Sequence, residues 1–181
     1  YPALNPDGLE EAATYDVGLG EAAPGLNVWY GRAIRDAELN LADGPYPVIV
    51  FSPGNGGTRF YGSFMHEQLV SYGFVVISVD HTGNTLDLLM TQPDVLDANR
   101  YASVIQRPLD VTRQLDYAEM LNAGEMAGAL DLENVGVYGV SFGGYTAFMA
   151  GGAQFDMNWF EDWCATATDP GCDSLLNNQD K

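Results

Sequence analysis

The sequence has few basic residues, with seven Lys and Arg against 25 Asp and Glu, which gives a formal net charge of −18. Phosphate backbones and anionic membrane surfaces repel such a surface, so we expect no nucleic-acid partner. The sequence also lacks any run of about 18 apolar residues, and therefore predicts no transmembrane segment. The chain has 181 residues, of which 46% are hydrophobic. It is therefore long enough to bury one core, which predicts a single domain.

Cysteine is scarce as well, since the chain has two, Cys164 and Cys172, in a polar stretch that contains Asp and Pro. We predict a disulfide between them, because exposed cysteine pairs persist in oxidising compartments; two free thiols are the alternative. The spacing is too long for a C-x2–4-C zinc motif and no histidine follows, so we predict no metal site and no cofactor. The chain opens at Tyr1 rather than Met, which indicates a trimmed N-terminus and favours a secreted or periplasmic protein.

One stretch, residues 135–144, reads Val-Gly-Val-Tyr-Gly-Val-Ser-Phe-Gly-Gly. A β-prone run leads into Gly-x-Ser-x-Gly, and a helical pattern follows, which is the context of a nucleophile elbow on a sharp strand-to-helix turn. We predict Ser141 as the nucleophile and the backbone N–H of Phe142 as one donor of an oxyanion hole. A bare Gly-x-Ser-x-Gly also occurs by chance, so the prediction depends on what surrounds it.

A second motif lies upstream, where the apolar run 48–51 ends in Ser-Pro-Gly-Asn-Gly-Gly at residues 52–57. Continuous apolarity is typical of a parallel strand that is buried on both faces. A glycine-rich turn after such a strand binds phosphate or supplies an oxyanion donor, and the spacing here fits neither G-x-G-x-x-G nor a P-loop. We therefore predict the backbone N–H of Asn55 as the second donor, with Gly54 on the pocket rim. A plain turn is the alternative.

Helix and strand patterns alternate between these motifs. Residues 59–71 predict a helix with His66 on its solvent side. The predicted sheet-facing stripe of that helix is Tyr61, Phe64, Met65 and Leu69. Residues 74–80 predict a second buried strand, whose carboxyl end places His81 on the pocket rim. A further helix is predicted to begin at Pro108, which suits a first turn. Alternation of this kind predicts a parallel α/β sheet with right-handed crossovers.

Four segments resemble the α/β-hydrolase fold: residues 52–57, 71–81, 107–110 and 139–144. The chain resembles in particular the platelet-activating-factor acetylhydrolases and predicted dienelactone hydrolases, and also bacterial cutinases and polyester hydrolases. The resemblance implies a mostly parallel sheet flanked by helices and a serine carboxylic-ester hydrolase. It implies a short-acyl ester, a phospholipid-like ester or a polyester as substrate. It also implies the nucleophile and oxyanion-hole roles already predicted for Ser141, Phe142 and Asn55.

The sequence departs from that family in having no histidine after Ser141. The family's triad runs Ser, then Asp or Glu, then His, whereas His66 and His81 both precede the serine. In the fold's strand order the third strand separates the fourth from the fifth, so we do not expect His81 beside Ser141. We therefore expect an incomplete fold, with residues 1–152 as its N-terminal part. The triad Asp and His would come from a C-terminal chain of the same precursor.

Residues 153–181 predict a lid-like segment that includes the cysteine pair. Its apolar residues are Phe155, Met157, Trp159, Phe160 and Trp163. They would cover an acyl pocket or face lipid, or else pack on the missing part of the fold. Two other functions stay open: a thioesterase or peptidase on the same fold, and a non-catalytic interaction module whose triad was never completed.

Overall fold

The computed structural model describes residues 1–3, 12–16, 19, 28–167, 169 and 171–176. Its strands are β1 (Ala12–Asp16), β2 (Val28–Ile34), β3 (Tyr46–Ser52), β4 (Val75–Ser78) and β5 (Leu130–Gly139). Its helices are α1 (Ser63–Ser71), α2 (Leu86–Thr91), α3 (Pro93–Ala123), α4 (Phe142–Ala150), α5 (Met157–Cys164) and α6 (Gly171–Leu176). From β3 to α4 the strands alternate with helices, as the sequence predicts.

The central sheet is parallel and has the strand order β4-β3-β5, which confirms that the third strand separates the other two. In the middle strand, Val48 pairs with Val75 of β4 and with Val135 of β5. Strands β1 and β2 form a separate antiparallel pair. At the carboxyl end of β3, Ser52 lies opposite Gly139 of β5. The loop after β3 and the turn after β5 therefore start side by side.

The core is built on β3. Val48, Val50 and Phe51 are completely buried, as a continuous apolar strand predicts. Burial of each such side chain contributes about 1.5–3 kcal/mol relative to exposure. One cluster of the core joins Val48 to Tyr46, Val75, Ala118, Ala129 and Leu130. Helix α4 packs on β5 and β3, and α3 packs on α4, so both helices fix the carboxyl end of the sheet.

Helix α3 is longer than the sequence predicts, since it has 31 residues and contains Pro108 rather than beginning there. Proline lacks the N–H that would donate to the carbonyl of Val104, and this loss normally ends or kinks a helix. Here the hydroxyl of Tyr145 in α4 donates to the Val104 carbonyl at 3.0 Å. A contact from another helix thus supplies the donor that proline removes, and α3 continues through it.

Helix α1 begins at Ser63 and turns a different face to the sheet from the predicted one. Three residues of the predicted stripe are exposed: Tyr61 (54%), Phe64 (71%) and Met65 (42%). The ring of His66, predicted to be solvated, instead packs edge-on against Phe51 with the ring centroids 4.6 Å apart. Burial lowers the pKa of His66 to about 4, so at neutral pH it packs as an uncharged aromatic ring.

Helices α5 and α6 are joined by the predicted disulfide between Cys164 and Cys172. The carboxylate of Asp156 caps α5 by accepting a hydrogen bond from the N–H of Trp159 at 3.0 Å. The indoles of Trp159 and Trp163 stack at 6.3 Å and are substantially exposed, while α6 packs on α3. Within the described residues, no helix has both the length and the apolar character needed to cross a bilayer.

Candidate active site

Ser141 stands at the turn between β5 and α4, and it is exposed. Its backbone has φ 55° and ψ −117°, a left-handed φ that residues other than glycine rarely adopt. Such a conformation typically costs about 1–3 kcal/mol and persists only where the surrounding structure enforces it. An exposed serine held in this conformation between a strand and a helix has the geometry of a nucleophile elbow.

Two glycines allow the chain to make this turn. A Cβ added at Gly143 would lie 1.8 Å from the carbonyl oxygen of Ser52, and one at Gly139 would lie 2.3 Å from the backbone of Gly143. Both distances are far shorter than any real contact, and the opposing atoms are backbone. The backbones after β3 and β5 therefore touch, and a side chain at either position would force them apart.

The loop after β3 lies directly beside Ser141. A Cβ built on Gly54 would be 3.5 Å from the Cβ of Ser141, and Asn55 is the next residue of this loop. The N–H of Gly57 donates to the carbonyl of Gly54 at 3.1 Å and closes the turn. Phe142 is the first residue of α4, where a backbone N–H has no acceptor within the helix. The structure thus brings the predicted nucleophile and both predicted oxyanion elements to one corner of the fold.

The sequence predicted His81 on a pocket rim. In the structure its side chain is instead buried beneath the loop after β3, with 1% of its surface exposed. Its Nε2 lies 2.9 Å from the hydroxyl oxygen of Ser52, and its Nδ1 lies 2.8 Å from a carboxylate oxygen of Asp110 in α3. The side chain turns inward because both ring nitrogens find partners there. Ser52, His81 and Asp110 therefore form a hydrogen-bonded series with the order of a catalytic triad, in which Ser52 and His81 are buried and Asp110 is partly exposed.

The direction of these hydrogen bonds follows from the chemistry of the groups. Burial lowers the pKa of His81, and the charge of Arg107 lowers it further, against the opposing effect of Asp110. A neutral imidazole carries one N–H, and a carboxylate can only accept, so Nδ1–H donates to Asp110. Nε2 then accepts from the hydroxyl of Ser52. Because Ser52 is completely buried, this serine cannot meet a substrate as the exposed Ser141 can.

A second buried group that sequence reasoning missed is Arg107 of α3, which is 1% exposed. Its guanidinium donates to the hydroxyl of Ser52 at 3.1 Å and to the amide oxygen of Asn84 at 2.7 Å. Burial lowers the pKa of Arg107 to about 10, which still leaves it charged at neutral pH. The sequence signal that could have identified Arg107 is its spacing from Asp110, which lies three residues later on the same helix face.

The sequence model of the family "Platelet-activating factor acetylhydrolase, isoform II" matches residues 23–101, which include the loop after β3 and His81. The "Cutinase est1" of Thermobifida alba is 32% identical over 99 residues, which cover 55% of this chain and 28% of that relative. The "Cutinase cut1" of Thermobifida fusca is 34% identical over 101 residues, covering 55% of this chain and 26% of the relative.

A third relative, the "Putative phospholipase A2" of Schizosaccharomyces pombe, is 30% identical over 102 residues, covering 49% of this chain and 23% of that protein. These names all denote ester-bond hydrolases, and the parallel sheet agrees with the fold that they indicate. The chain carries part of an α/β-hydrolase fold. The chain spans about a quarter of the length of the curated relatives it matches. Among its described residues, no cluster of His, Cys, Asp or Glu could hold a metal ion.

Proposed function

We propose that this chain supplies the nucleophile and the oxyanion hole of a serine ester hydrolase. The observation that carries the proposal is the exposed Ser141 at φ 55°, with Gly54 of the loop after β3 packed against it. The similarity to proteins named cutinase and phospholipase A2 supports an ester as the substrate class. We include small esters, lipid esters and polyesters in that class.

In the proposed reaction, the Ser141 hydroxyl oxygen attacks the ester carbonyl carbon and its proton passes to a histidine base. The backbone N–H groups of Phe142 and Asn55 hold the negative oxygen of the tetrahedral intermediate. The alcohol then leaves with the proton, and water hydrolyses the acyl-enzyme and releases the acid. Each oxyanion donor of this kind is typically worth about 10²–10³ in rate.

The base is proposed to lie in a C-terminal part of the same precursor, together with the triad acid. Both ring nitrogens of His81 are engaged by Ser52 and Asp110, and the ring of His66 packs on Phe51. Neither imidazole is therefore available to Ser141 in the described structure. We also propose an extracytoplasmic location, because the disulfide between α5 and α6 would persist in an oxidising compartment.

The test is to expose the complete protein to a fluorophosphonate probe and to map the adduct by peptide mass spectrometry. We expect the adduct on Ser141, and we expect Ser141→Ala to abolish both labelling and ester hydrolysis while the protein stays folded. Ser71→Ala, which alters an exposed serine at the end of α1, is the matched control and should label as the parent does. An adduct on Ser52, or full ester turnover by Ser141→Ala, would refute the assignment.

The substrate class is tested on the same preparations with p-nitrophenyl esters of increasing chain length, a thioester and a peptide amide. We expect the parent to hydrolyse the oxygen esters fastest. Faster turnover of the thioester or the amide would replace the esterase proposal with a thioesterase or peptidase. A complete protein that shows neither turnover nor labelling would instead support a non-catalytic interaction module.

A further inference from the structure

The guanidinium of Arg107 is a buried cation whose hydrogen-bond acceptors are all uncharged. At the end of β3 and in the loop after it, it donates to the Ser52 hydroxyl and to the carbonyl oxygens of Pro53 and Gly54, the last at 3.4 Å. Elsewhere it donates to the amide oxygen of Asn84 and to the hydroxyl of Thr146. Burying a charge is costly unless the charge is paired or well hydrogen-bonded, so an arginine here needs all five of these acceptors.

These contacts join the two backbone segments that carry the proposed oxyanion donors. On one side lies the loop after β3, which contains Asn55. On the other side lies α4, where the Nε of Arg107 is 3.2 Å from the hydroxyl of Thr146, which in turn donates to the carbonyl of Phe142 at 3.0 Å. The guanidinium carbon also lies 4.5 Å from the centroid of the Phe142 ring. One side chain therefore contacts both halves of the site.

The contacts of the Gly54 carbonyl restrict the direction of the Asn55 N–H. Gly54 C=O and Asn55 N–H belong to the same peptide group, and in a planar trans peptide they point in opposite directions. The Gly54 carbonyl is held from one side by Arg107 and by the N–H of Gly57. Fixing that carbonyl orients the Asn55 N–H toward the opposite side, away from the buried guanidinium.

Asn84 extends the same arrangement to the rest of the loop. Its side chain is 1% exposed, and its amide oxygen accepts from Arg107 at 2.7 Å and from the N–H of Gly56 at 3.2 Å. Its amide nitrogen donates to the side-chain oxygen of Asn55 at 2.8 Å. Asn84 therefore fixes the residues on the far side of the Gly54–Asn55 peptide while it is itself oriented by Arg107.

We propose that Arg107 is a positioning residue that, with Asn84, holds the Asn55 N–H at the oxyanion position and keeps the loop after β3 in register with α4. This inference rests on the proposed roles of Ser141 and Asn55. Arg107 does not touch the substrate, because it is buried behind the loop. Its effect is exerted in the transition state, where the oxyanion forms, rather than on binding of the neutral ester.

The experiment measures kcat and KM of the complete protein with a p-nitrophenyl ester, together with its thermal unfolding midpoint. Arg107→Met removes the charge and the donors at similar side-chain length, and Arg107→Lys keeps the charge but loses the planar fork. We expect kcat to fall about 10²-fold in Arg107→Met and about 10-fold in Arg107→Lys, with KM changed less than about threefold, since one misplaced donor costs about 10²–10³. Arg100→Gln, an exposed arginine on the same helix, is the matched control and should keep the parent kcat.

Folded Arg107→Met with parent kcat, or with a change in KM alone, would overturn the inference. If Arg107→Met yields no folded protein, Arg107→Lys and Asn84→Ala decide the question by the same criterion. Failure of the proposed function gives a different result, because the parent itself would then neither hydrolyse esters nor label at Ser141. The two failures are therefore distinguishable on one set of preparations.

Discussion

The close contact between α4 and the backbone at the end of β3 predicts opposite effects of alanine at two adjacent glycines, Gly143 and Gly144. At Gly143, an alanine Cβ would lie 1.8 Å from the carbonyl oxygen of Ser52 and 2.8 Å from that of Pro53. Reaching an ordinary contact distance of 3.4 Å requires about 1.6 Å of separation between two packed backbones. At Gly144, the nearest atom to an added Cβ is the Gly139 carbonyl oxygen at 3.7 Å, so alanine fits there without any shift.

The expected energies have opposite signs. Overpacking against backbone costs about 1–3 kcal/mol and occasionally more, and the rigid strands on both sides place Gly143→Ala at the upper end. A loss of about 3 kcal/mol lowers the unfolding midpoint by about 6–12 °C in a domain of about 150–250 residues. Gly144→Ala replaces a helical glycine, which favours folding by up to about 1 kcal/mol and raises the midpoint by about 2–4 °C.

The assay is thermal unfolding of the complete protein, with fluorophosphonate labelling measured on the same samples. Gly143→Ala should also lose labelling at Ser141, because the loop that carries Asn55 is displaced from the nucleophile. Gly144→Ala should label at the parent rate. Equal unfolding midpoints for the two variants would refute the packing of the loop after β3 against α4, and with it the geometry of the proposed site.

Two further predictions test partly buried side chains outside the proposed oxyanion hole. The folded pKa of His66, about 4, lies below its ordinary value of 6.5, so between these pH values the unfolded chain binds more protons and the free energy of unfolding falls as the pH drops. Urea unfolding at about pH 7 and about pH 5.5 should show a smaller loss of unfolding free energy in His66→Leu than in the parent. An equal loss would contradict a neutral buried ring. Tyr145→Phe should cost about 1–3 kcal/mol by leaving the Val104 carbonyl without its donor, and Pro108→Ala in that background should restore part of the loss because it returns a backbone N–H. Additive effects in this double-mutant cycle would show that the Tyr145 hydroxyl does not compensate for the proline.

Local patterns predicted the strands and the elbow because their signals lie within about ten consecutive residues. The apolar run of β3, the glycine-rich loop after it and the Gly-x-Ser-x-Gly turn all occur where the sequence predicts them. The course of α3 could not be predicted in this way. Its continuation through Pro108 depends on Tyr145, which lies 37 residues later in the chain, and no local preference contains that information.

The prediction of which face of α1 packs on the sheet was wrong for a related reason. Its predicted stripe assumed that large apolar residues face the sheet, but a neutral histidine ring also packs well on aromatic neighbours. His66 sits 4.6 Å from Phe51 and 6.1 Å from Tyr138, measured between ring centroids. Once that ring faces the sheet, the 3.6-residue helical period turns Phe64 and Met65 to other sides of the helix. A residue type that is usually polar thus lies on the face of α1 that packs on Phe51 and Tyr138, and hydrophobic periodicity does not detect it.

Residue type and hydrogen-bond order alone would select Ser52, His81 and Asp110 as a triad, but the burial of Ser52 argues against it as the nucleophile. The distances of 2.9 and 2.8 Å fit a catalytic triad, yet the serine has no exposed surface and also accepts a hydrogen bond from Arg107. That bond occupies a lone pair of the oxygen that would have to attack.

The charges in this region instead favour a structural role. Asp110 and Arg107 lie at the two ends of this hydrogen-bonded series. Between them, the neutral imidazole of His81 and the hydroxyl of Ser52 each donate in the direction of Asp110. Protonating His81 would place a second cation beside Arg107. The new Nε2–H would then point at the Ser52 hydroxyl oxygen, and the Ser52 O–H would need a different acceptor. Burial first, and then the charge of Arg107, lower the pKa of His81, which fits a neutral ring that helps to hold the loop after β3. Ser141, exposed and strained on the neighbouring turn, is therefore the serine that we propose as the nucleophile.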